Sequence, residues 1–240
     1  MHMAVISDIH GNFEALTAVL EHLDRNEAVD AIHCLGDVVG YGADPQACLA
    51  RCRERTGVIL RGNHEHAVHD PDAAEQFHAA AQAAVHWTRA GLTEEERAFC
   101  GALPYVHATP SATYVHASPD SPEAWRYIFM CSDADACYDA FAAPVCFVGH
   151  SHVPLVCARA HRPAWMDGVW HLDPADRTLI NVGSVGQPRD GDPRACFGIF
   201  DDAAWTFRFV RLTYDIAGAM RKIRAAGLPL RLAERLQYGT

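Results

Sequence analysis

The fold of this chain is decided by residues 3–10, which read MAVISDIH. The apolar run Met3–Ser7 is typical of a buried strand, and the polar side chains of Asp8 and His10 follow it at once. An amphipathic helical pattern begins after Asn12, a residue well suited to cap a helix N-terminus. A buried strand that leads through a polar turn into a helix predicts an α/β fold.

Similar units continue along the chain. A second strand is predicted at Asp30–Cys34, a helix from Pro45 to about Arg53, and a third strand at Val58–Leu60. This alternation predicts parallel strands with right-handed connections. Later strands are predicted at Ala112–His116, Val145–Val148, Leu155–Arg159 and Thr178–Val182, and in a hairpin of Ala195–Asp201 with Trp205–Arg211.

We expect one domain over residues 1–240, built from two layers of sheet or one large sheet with flanking helices. Two segments are predicted excursions that select the substrate. The first is the Ala-rich helical segment 66–103, and the second is an irregular loop at 161–176 that carries Pro and Trp. The last segment, from Asp215 to about Leu236, is predicted to be helical with a break at Gly227.

The composition excludes several classes of protein. Half of the residues are hydrophobic and 21% are charged, so a disordered chain is excluded. The net charge of -10 argues against binding to long nucleic acids, and no apolar run reaches 18 residues, so no membrane partner is expected. Nine Cys without a CxxC pair predict a chain without a disulfide framework, located in the cytoplasm.

Five polar clusters interrupt the apolar pattern, and each follows the end of a predicted strand. They are Asp8/His10, Gly36-Asp37, Gly62-Asn63-His64-Glu65, His116 and Gly149-His150-Ser151-His152. The carboxyl edge of an α/β sheet is where ligands bind, because loops converge there on a rigid support. With 15 histidines in the chain, one His-x-His pair is expected by chance. The evidence for a binding site is therefore that all five clusters follow the ends of predicted strands.

These clusters have the chemistry of a site for two metal ions. Carboxylate, amide and imidazole ligands without a thiolate suit manganese, iron, zinc or cobalt. Two cations ~3.5–4 Å apart require an anionic bridge, which Asp37 can supply. Such a pair activates water and binds the oxygens of a phosphate group.

In the same order, the clusters resemble the motifs D-x-H, G-D, G-N-H-[DE], H and G-H-x-H of the calcineurin-like metallophosphoesterase superfamily. Residues 181–184 with Pro188 and Arg189 are similar to a later block of its small bacterial phosphodiesterase branch. The resemblance implies a four-layer αββα sandwich with mixed sheets and the metal site at the carboxyl edge of the strands. It also implies hydrolysis of a small phosphate ester or nucleotide by a hydroxide that bridges the two metals.

The resemblance further implies two ligand sets that share one residue. The first set is Asp8, His10, Asp37 and His152, and the second is Asp37, Asn63, His116 and His150. It implies that His64 binds no metal but contacts the phosphate and protonates or stabilises the leaving oxygen. We expect two divalent ions, manganese first, with iron, zinc, cobalt and nickel as alternatives.

Several assignments keep an alternative. The predicted substrate-binding residues are Asn12, Asn63, His64 and Arg189. Asn12 can equally serve only as a helix cap, and Arg189 can be a solvated side chain. For the His116 ligand position, His107 is the alternative nearby. Among the histidines of the Ala-rich segment, His66 is the one expected to line the site.

One departure from the family pattern narrows the function. Protein phosphatases and diadenosine tetraphosphatases carry G-D-x-V-D-R-G in the second block, whereas residues 36–42 read GDVVGYG. The phosphate-binding Arg is absent, and Tyr41 is instead predicted to line a pocket for a flat group. A phosphodiesterase is therefore the prediction. The alternatives are a phosphomonoesterase, acting on small molecules or proteins, and a non-catalytic scaffold. The oligomeric state is not predicted.

Overall fold

A computed structural model describes all residues, 1–240. Its twelve strands form two mixed sheets. In chain order the strands are β1 His2–Ile6, β2 Ala31–Cys34, β3 Val58–Ile59, β4 Val106–Ala108, β5 Ala112–Val115, β6 Val145–Val148, β7 Leu155–Ala158, β8 Ala164–Met166, β9 Val169–His171, β10 Thr178–Asn181, β11 Ala195–Asp201 and β12 Thr206–Leu212.

Eight α-helices and several short 3₁₀ turns connect the strands. The helices are α1 Phe13–Asn26, α2 Pro45–Arg55, α3 Asn63–His69, α4 Ala79–Gly91, α5 Glu94–Ala102, α6 Cys131–Ala134, α7 Ile216–Ala225 and α8 Leu230–Glu234. The side chain of Asn12 accepts a hydrogen bond from the backbone of Ala15 and so caps α1, as predicted. None of the helices combines the length and the apolar character that a membrane crossing requires.

The larger sheet has the strand order β3-β2-β1-β11-β12-β9-β8, and the smaller has the order β4-β5-β6-β10-β7. Because side chains alternate along a strand, Met3 and Val5 of β1 enter the core between the sheets. Ala4 and Ile6 belong to a second core, which joins the larger sheet to its covering helices. The outer face of the smaller sheet is covered by residues 128–141. The predicted αββα arrangement is therefore confirmed.

The carboxyl ends of the central strands meet at one edge. In the larger sheet β1, β2 and β3 are parallel, and in the smaller sheet β5, β6 and β10 are parallel. The loops beyond these ends are joined by backbone hydrogen bonds. Within the larger sheet the amide of Asp8 donates to Gly36 at 3.0 Å, and between the sheets the amide of Val185 donates to Ser7 at 3.0 Å. This edge is a rigid support for the polar clusters.

The prediction of an irregular loop at 161–176 is wrong, because the segment contains the β8–β9 hairpin. This hairpin extends the larger sheet through pairing of β9 with β12. Its turn is Asp167-Gly168, and both residues have positive φ angles, 50° and 81°. An Asp-Gly pair between apolar residues favours this tight turn, so the sequence did contain the signal. The short edge strand β4 was also not predicted.

The expectation that the chain lacks disulfides is wrong as well. Cys131 of α6 and Cys157 of β7 form a disulfide across 26 residues of sequence. The remaining seven cysteines are buried and free. The disulfide attaches the segment that covers the smaller sheet to one of its edge strands. The cytoplasmic location rested on the cysteine pattern and stays a prediction.

Candidate metal centre

All seven predicted metal ligands lie at the shared carboxyl edge. They are placed by the loops after β1, β2, β3, β5 and β6, and each is buried. Three groups have ligand atoms that lie within 4.8 Å of one another; these are Asp8/His10/His152, His10/Asp37/His64 and Asp37/His116/His150. The first and third groups correspond to the two predicted sets. The alternative residue His107 packs instead against Tyr114 and His33, away from this edge.

Each of the four predicted histidine ligands has one ring nitrogen against a backbone carbonyl. The pairs are His10 Nδ1 with Val39 O at 3.1 Å, His116 Nδ1 with Leu35 O at 3.1 Å, His152 Nδ1 with Gln187 O at 2.6 Å and His150 Nε2 with Trp125 O at 2.9 Å. A carbonyl only accepts, so in each pair the ring nitrogen is the donor. The opposite nitrogen of a neutral ring then keeps its lone pair for a metal ion.

In the first ligand set, nitrogen and oxygen atoms that carry lone pairs face one another, and no N–H or O–H group lies between them. Nε2 of His10 and Nε2 of His152 are 3.1 Å apart, and Nε2 of His152 is 3.1 Å from Oδ1 of Asp8. The same oxygen of Asp8 is buried and receives no hydrogen bond. Lone pairs facing one another at this distance repel unless a cation lies between them. The residues present therefore fit a divalent metal ion.

The second set offers unused acceptors of the same kind. Oδ1 of Asn63 and Nε2 of His116 are both buried, and neither has a hydrogen-bond partner. Burial disfavours a charged His116, but Asp37 outweighs it and raises the pKa of His116 to about 9. Metal binding would displace this proton from Nε2 of His116, which then becomes an acceptor like Oδ1 of Asn63.

Asp37 lies between the two sets. Its Oδ2 is 3.6 Å from Nε2 of His10 and 3.4 Å from Nε2 of His116. Its other oxygen, Oδ1, accepts a hydrogen bond from the amide of His64 at 2.9 Å. Burial opposes ionisation of Asp37, yet the neighbouring His116 and His64 hold its pKa well below the ordinary value. The carboxylate is therefore ionised and lies between histidine nitrogens of the two predicted ligand sets.

The backbone around the ligands is strained. Five of the seven have φ angles in the left-handed region, with values from 50° to 65°; they are Asp8, His10, Asp37, His150 and His152. Each such residue costs about 1–2 kcal/mol relative to ordinary backbone. A Cβ at Gly62 would collide with Asp37, and one at Gly149 would collide with Asp8. Glycine is therefore required at positions 62 and 149, because the backbone there lies too close to Asp37 and Asp8 for a side chain to fit.

Glu65 has a positioning role that the sequence analysis did not assign. Its carboxylate accepts hydrogen bonds from the amides of Asp37 at 2.7 Å, Val39 at 3.1 Å and Gly62 at 2.9 Å. Burial and the charge of Asp37 raise the pKa of Glu65 to about 7. Glu65 therefore joins the loop after β2 to the start of α3. The capping-box spacing from Gly62 was the available signal.

His64 lies in the cluster and is buried. Its ring contacts those of His10 and Tyr41, at centroid distances of 4.8 Å and 4.5 Å, and packs against Phe77 at 5.1 Å. Burial lowers the pKa of His64 to about 4, although Asp37 opposes this shift. The ring is neutral in the free protein, and the negative charge of a bound phosphate would favour its protonation. Its predicted contact with the leaving oxygen stays a prediction.

The structure treats Asn12 and Arg189 differently. The amide of Asn12 donates to Gly186 O at 2.8 Å while its oxygen caps α1, so the geometry favours the structural alternative. Arg189, by contrast, lies beside the centre, with its Cζ 5.8 Å from the ring of Tyr41. Its Nε is buried without an acceptor. Arg189 is therefore positioned for an anion, as its substrate-binding prediction requires.

A cavity of about 250 Å³ opens beside the second ligand set. It is lined by Tyr41, Asn63, Gln76, Phe77, His78, Ala81, Ala124, Trp125, Tyr127 and His150. The ring of Tyr127 stacks on His150 with a centroid distance of 4.0 Å and an angle of 15°. Tyr41 lines this pocket as predicted, and segment 66–103 contributes part of its wall. His78 lines it whereas His66 does not, so the choice of His66 was wrong.

Comparison with known proteins agrees with this geometry. A family model described as the calcineurin-like phosphoesterase superfamily domain matches residues 1–203. An uncharacterised protein of Methanocaldococcus jannaschii is 38% identical, over 99% of this chain and 98% of its own length. The crystal structure of a metallophosphoesterase from Sphaerobacter thermophilus has a TM-score of 0.88 at 39% identity, covering 100% of this chain and 99% of that one. A hypothetical protein of Pyrococcus horikoshii shares the fold at 20% identity, with a TM-score of 0.82 and coverage of 100% and 98%.

Proposed function

Since the chain belongs to the calcineurin-like phosphoesterase superfamily, we propose that it is a dinuclear metal-dependent phosphodiesterase that hydrolyses a small phosphate ester or nucleotide. The position of Asp37 carries the proposal. Its free oxygen lies 3.6 Å and 3.4 Å from nitrogens that belong to two different ligand sets. A carboxylate shared in this way is what two adjacent cations require.

The residues have distinct parts in the proposed reaction. Bound metals would supply an activated water and neutralise the phosphate oxygens. Water adds to phosphorus as the bond to the leaving oxygen breaks, and the leaving oxygen takes a proton from His64. Glu65 keeps Asp37 and α3 in register, and the backbone carbonyls hold the histidine rings in one tautomer. Manganese is the metal we propose first, since oxygen and imidazole ligands suit it.

The aromatic pocket favours a diester over a monoester. A diester carries two organic groups on phosphorus, and one of them needs a place beside the reacting phosphate. The rings of Tyr41, Trp125 and Tyr127 offer flat apolar surfaces next to His150. An aryl group or a nucleobase matches these surfaces. Residues 36–42 also lack the arginine of the G-D-x-V-D-R-G motif, which binds phosphate in the protein phosphatases that carry this motif.

The test compares bis-p-nitrophenyl phosphate with p-nitrophenyl phosphate. Protein stripped with EDTA is expected to be inactive, and added manganese is expected to restore cleavage with a preference for the diester. A preference for the monoester would make the protein a phosphomonoesterase on the same metal site. Binding of two metals without cleavage of either ester would favour the non-catalytic scaffold.

Replacement of Tyr127 by Ala is expected to raise KM for bis-p-nitrophenyl phosphate about fivefold, because an aromatic contact is worth roughly 1 kcal/mol. The effect on kcat is expected to be smaller, since Tyr127 contacts His150 but no reacting atom. Trp165→Ala is the matched control, because Trp165 is an exposed aromatic residue on the distant β8 strand. Equal KM values for wild type and Tyr127→Ala would show that the pocket does not hold the second ester group.

A further inference from the structure

Two arginines near the metal centre have no acidic partner. Arg189 and Arg235 are both half-buried, and neither takes part in an ion pair. Half-buried Arg61, Arg89 and Arg97 also lack an ion pair, but each of them donates to backbone carbonyls. Nε of Arg189, by contrast, is buried and has no acceptor. No Asp or Glu side chain neutralises the charge of Arg189 and Arg235.

Gln187 holds the two guanidinium groups side by side. Its side-chain oxygen accepts hydrogen bonds from Nη2 of Arg189 at 2.9 Å and from Nη1 of Arg235 at 3.0 Å. Its backbone oxygen faces Nδ1 of His152 at 2.6 Å. The residue that orients a predicted metal ligand thus also fixes the arginine pair. We name Arg189 and Arg235 the arginine pair.

Arg189 reaches both the metal centre and the pocket. Its backbone amide donates to the carbonyl of His152 at 3.3 Å, and its Cζ lies 5.8 Å from the ring of Tyr41, which lines the pocket. At the pocket wall, burial, Arg231 and the arginine pair lower the pKa of His78. The pKa of Arg235 itself falls to about 10, through burial and the charge of Arg189. When no anion is bound, the two positive charges repel each other, and this repulsion destabilises the arginine pair.

A polyanion removes this penalty. Phosphate offers several oxygens to the planar donor fork of arginine, and such charged hydrogen bonds are among the strongest in proteins. Nε of Arg189 is buried and has no acceptor, so at least one donor is free. Arg235 also donates to the backbone oxygen of Thr240, which anchors it to the chain terminus. The pair is fixed in place before any ligand binds.

We propose that Arg189 and Arg235 form a second anion-binding subsite, and that the substrate is a nucleotide diester with an additional phosphate group bound there. The part about the substrate rests on the proposed function. The reacting phosphate has the positive charge of two metals available to it. Arg189 lies beside Tyr41, which lines the pocket together with the predicted metal ligands Asn63 and His150. The additional phosphate would bind at the arginine pair, on the Tyr41 side of the pocket.

Two chromogenic substrates test the proposal because they differ in a single phosphate group. Thymidine 5′-(p-nitrophenyl phosphate) has only the reacting diester, and its 3′-phosphorylated form has one group more. We expect kcat/KM of the wild type to be at least about tenfold higher for the phosphorylated form. Arg235→Gln should reduce this preference to about threefold or less, and Arg235→Lys should retain most of it. Arg224→Gln is the matched control, because Arg224 is exposed on α7 and has no ion pair.

Absence of the preference in the wild type, or an equal preference in Arg235→Gln, would overturn the proposal. Calorimetric titration of EDTA-treated protein with pyrophosphate gives a readout that needs neither metal nor activity. Pyrophosphate is expected to bind the wild type and to bind Arg235→Gln and Arg189→Gln about tenfold more weakly. No binding to the wild type, or unchanged binding to both variants, contradicts the subsite. If no ester is cleaved, the proposed function fails, and this titration still decides on the subsite.

Discussion

Asp37→Asn is expected to impair occupancy of both metal positions and to lower kcat on a diester at least about a thousandfold, equivalent to ~4 kcal/mol of barrier. Asn keeps an oxygen that can accept the hydrogen bond from the amide of His64, so the local backbone should be preserved. What it removes is the negative charge between His10 and His116. Without that charge, two cations at short distance would repel each other.

Elemental analysis of dialysed protein measures this outcome directly. The wild type should retain two metal ions per chain, and Asp37→Asn should retain neither in full. Asp139→Asn is the control, because Asp139 pairs only with Arg159 and Arg177 at the surface. Circular dichroism should match for all three proteins. Two ions per chain in Asp37→Asn would contradict the bridging role.

His64→Ala is expected to retain both metals but to lose activity. The expected fall in kcat is about 100- to 10,000-fold, the range typical of a lost general acid. The effect should be largest for adenylyl-adenosine, whose alkoxide leaving group needs a proton. It should be smaller for bis-p-nitrophenyl phosphate, since p-nitrophenolate leaves without one. The cause lies in the ring, because the backbone amide of His64 remains available to Asp37.

The control for this variant is His107→Ala. His107 packs against Tyr114 and His33 and lies outside the metal cluster, so its loss removes an imidazole without touching the site. Unchanged turnover of adenylyl-adenosine by His64→Ala would refute the role as an acid. Loss of one metal in His64→Ala would instead identify His64 as a metal ligand. This outcome is a real alternative, because the ligand atoms of His64, His10 and Asp37 lie within 4.8 Å of one another.

The carboxyl edge could be predicted because two local signals coincide there. Each polar cluster follows a short apolar run, and a buried strand must end where such a run ends. The sequence therefore predicts that Asp8, Asp37 and His150 lie close together. The choice of His116 instead of His107 as a metal ligand depends on the family resemblance. In the structure the two differ because His107 lies within β4 and His116 lies just beyond the end of β5.

Other features depend on contacts that no local pattern encodes. Cys131 and Cys157 approach each other only after the segment over the smaller sheet has folded back. Trp125 and Tyr127 lie just before that segment, in a stretch without a helical or strand period, so the sequence does not predict their place in the pocket. The contact between Arg235 and Gln187 joins residues 48 positions apart. The Asp167-Gly168 turn, by contrast, is a feature that the local sequence does encode.

The left-handed backbone at five ligand positions has a consequence for how this protein can change. Glycine at any of them would remove the backbone strain, because glycine adopts such angles without the penalty that a Cβ imposes. The same change would delete a carboxylate or an imidazole from the centre. Thermostability and activity are therefore in opposition at these positions, and variants improved in both must take their stabilising substitutions elsewhere in the fold.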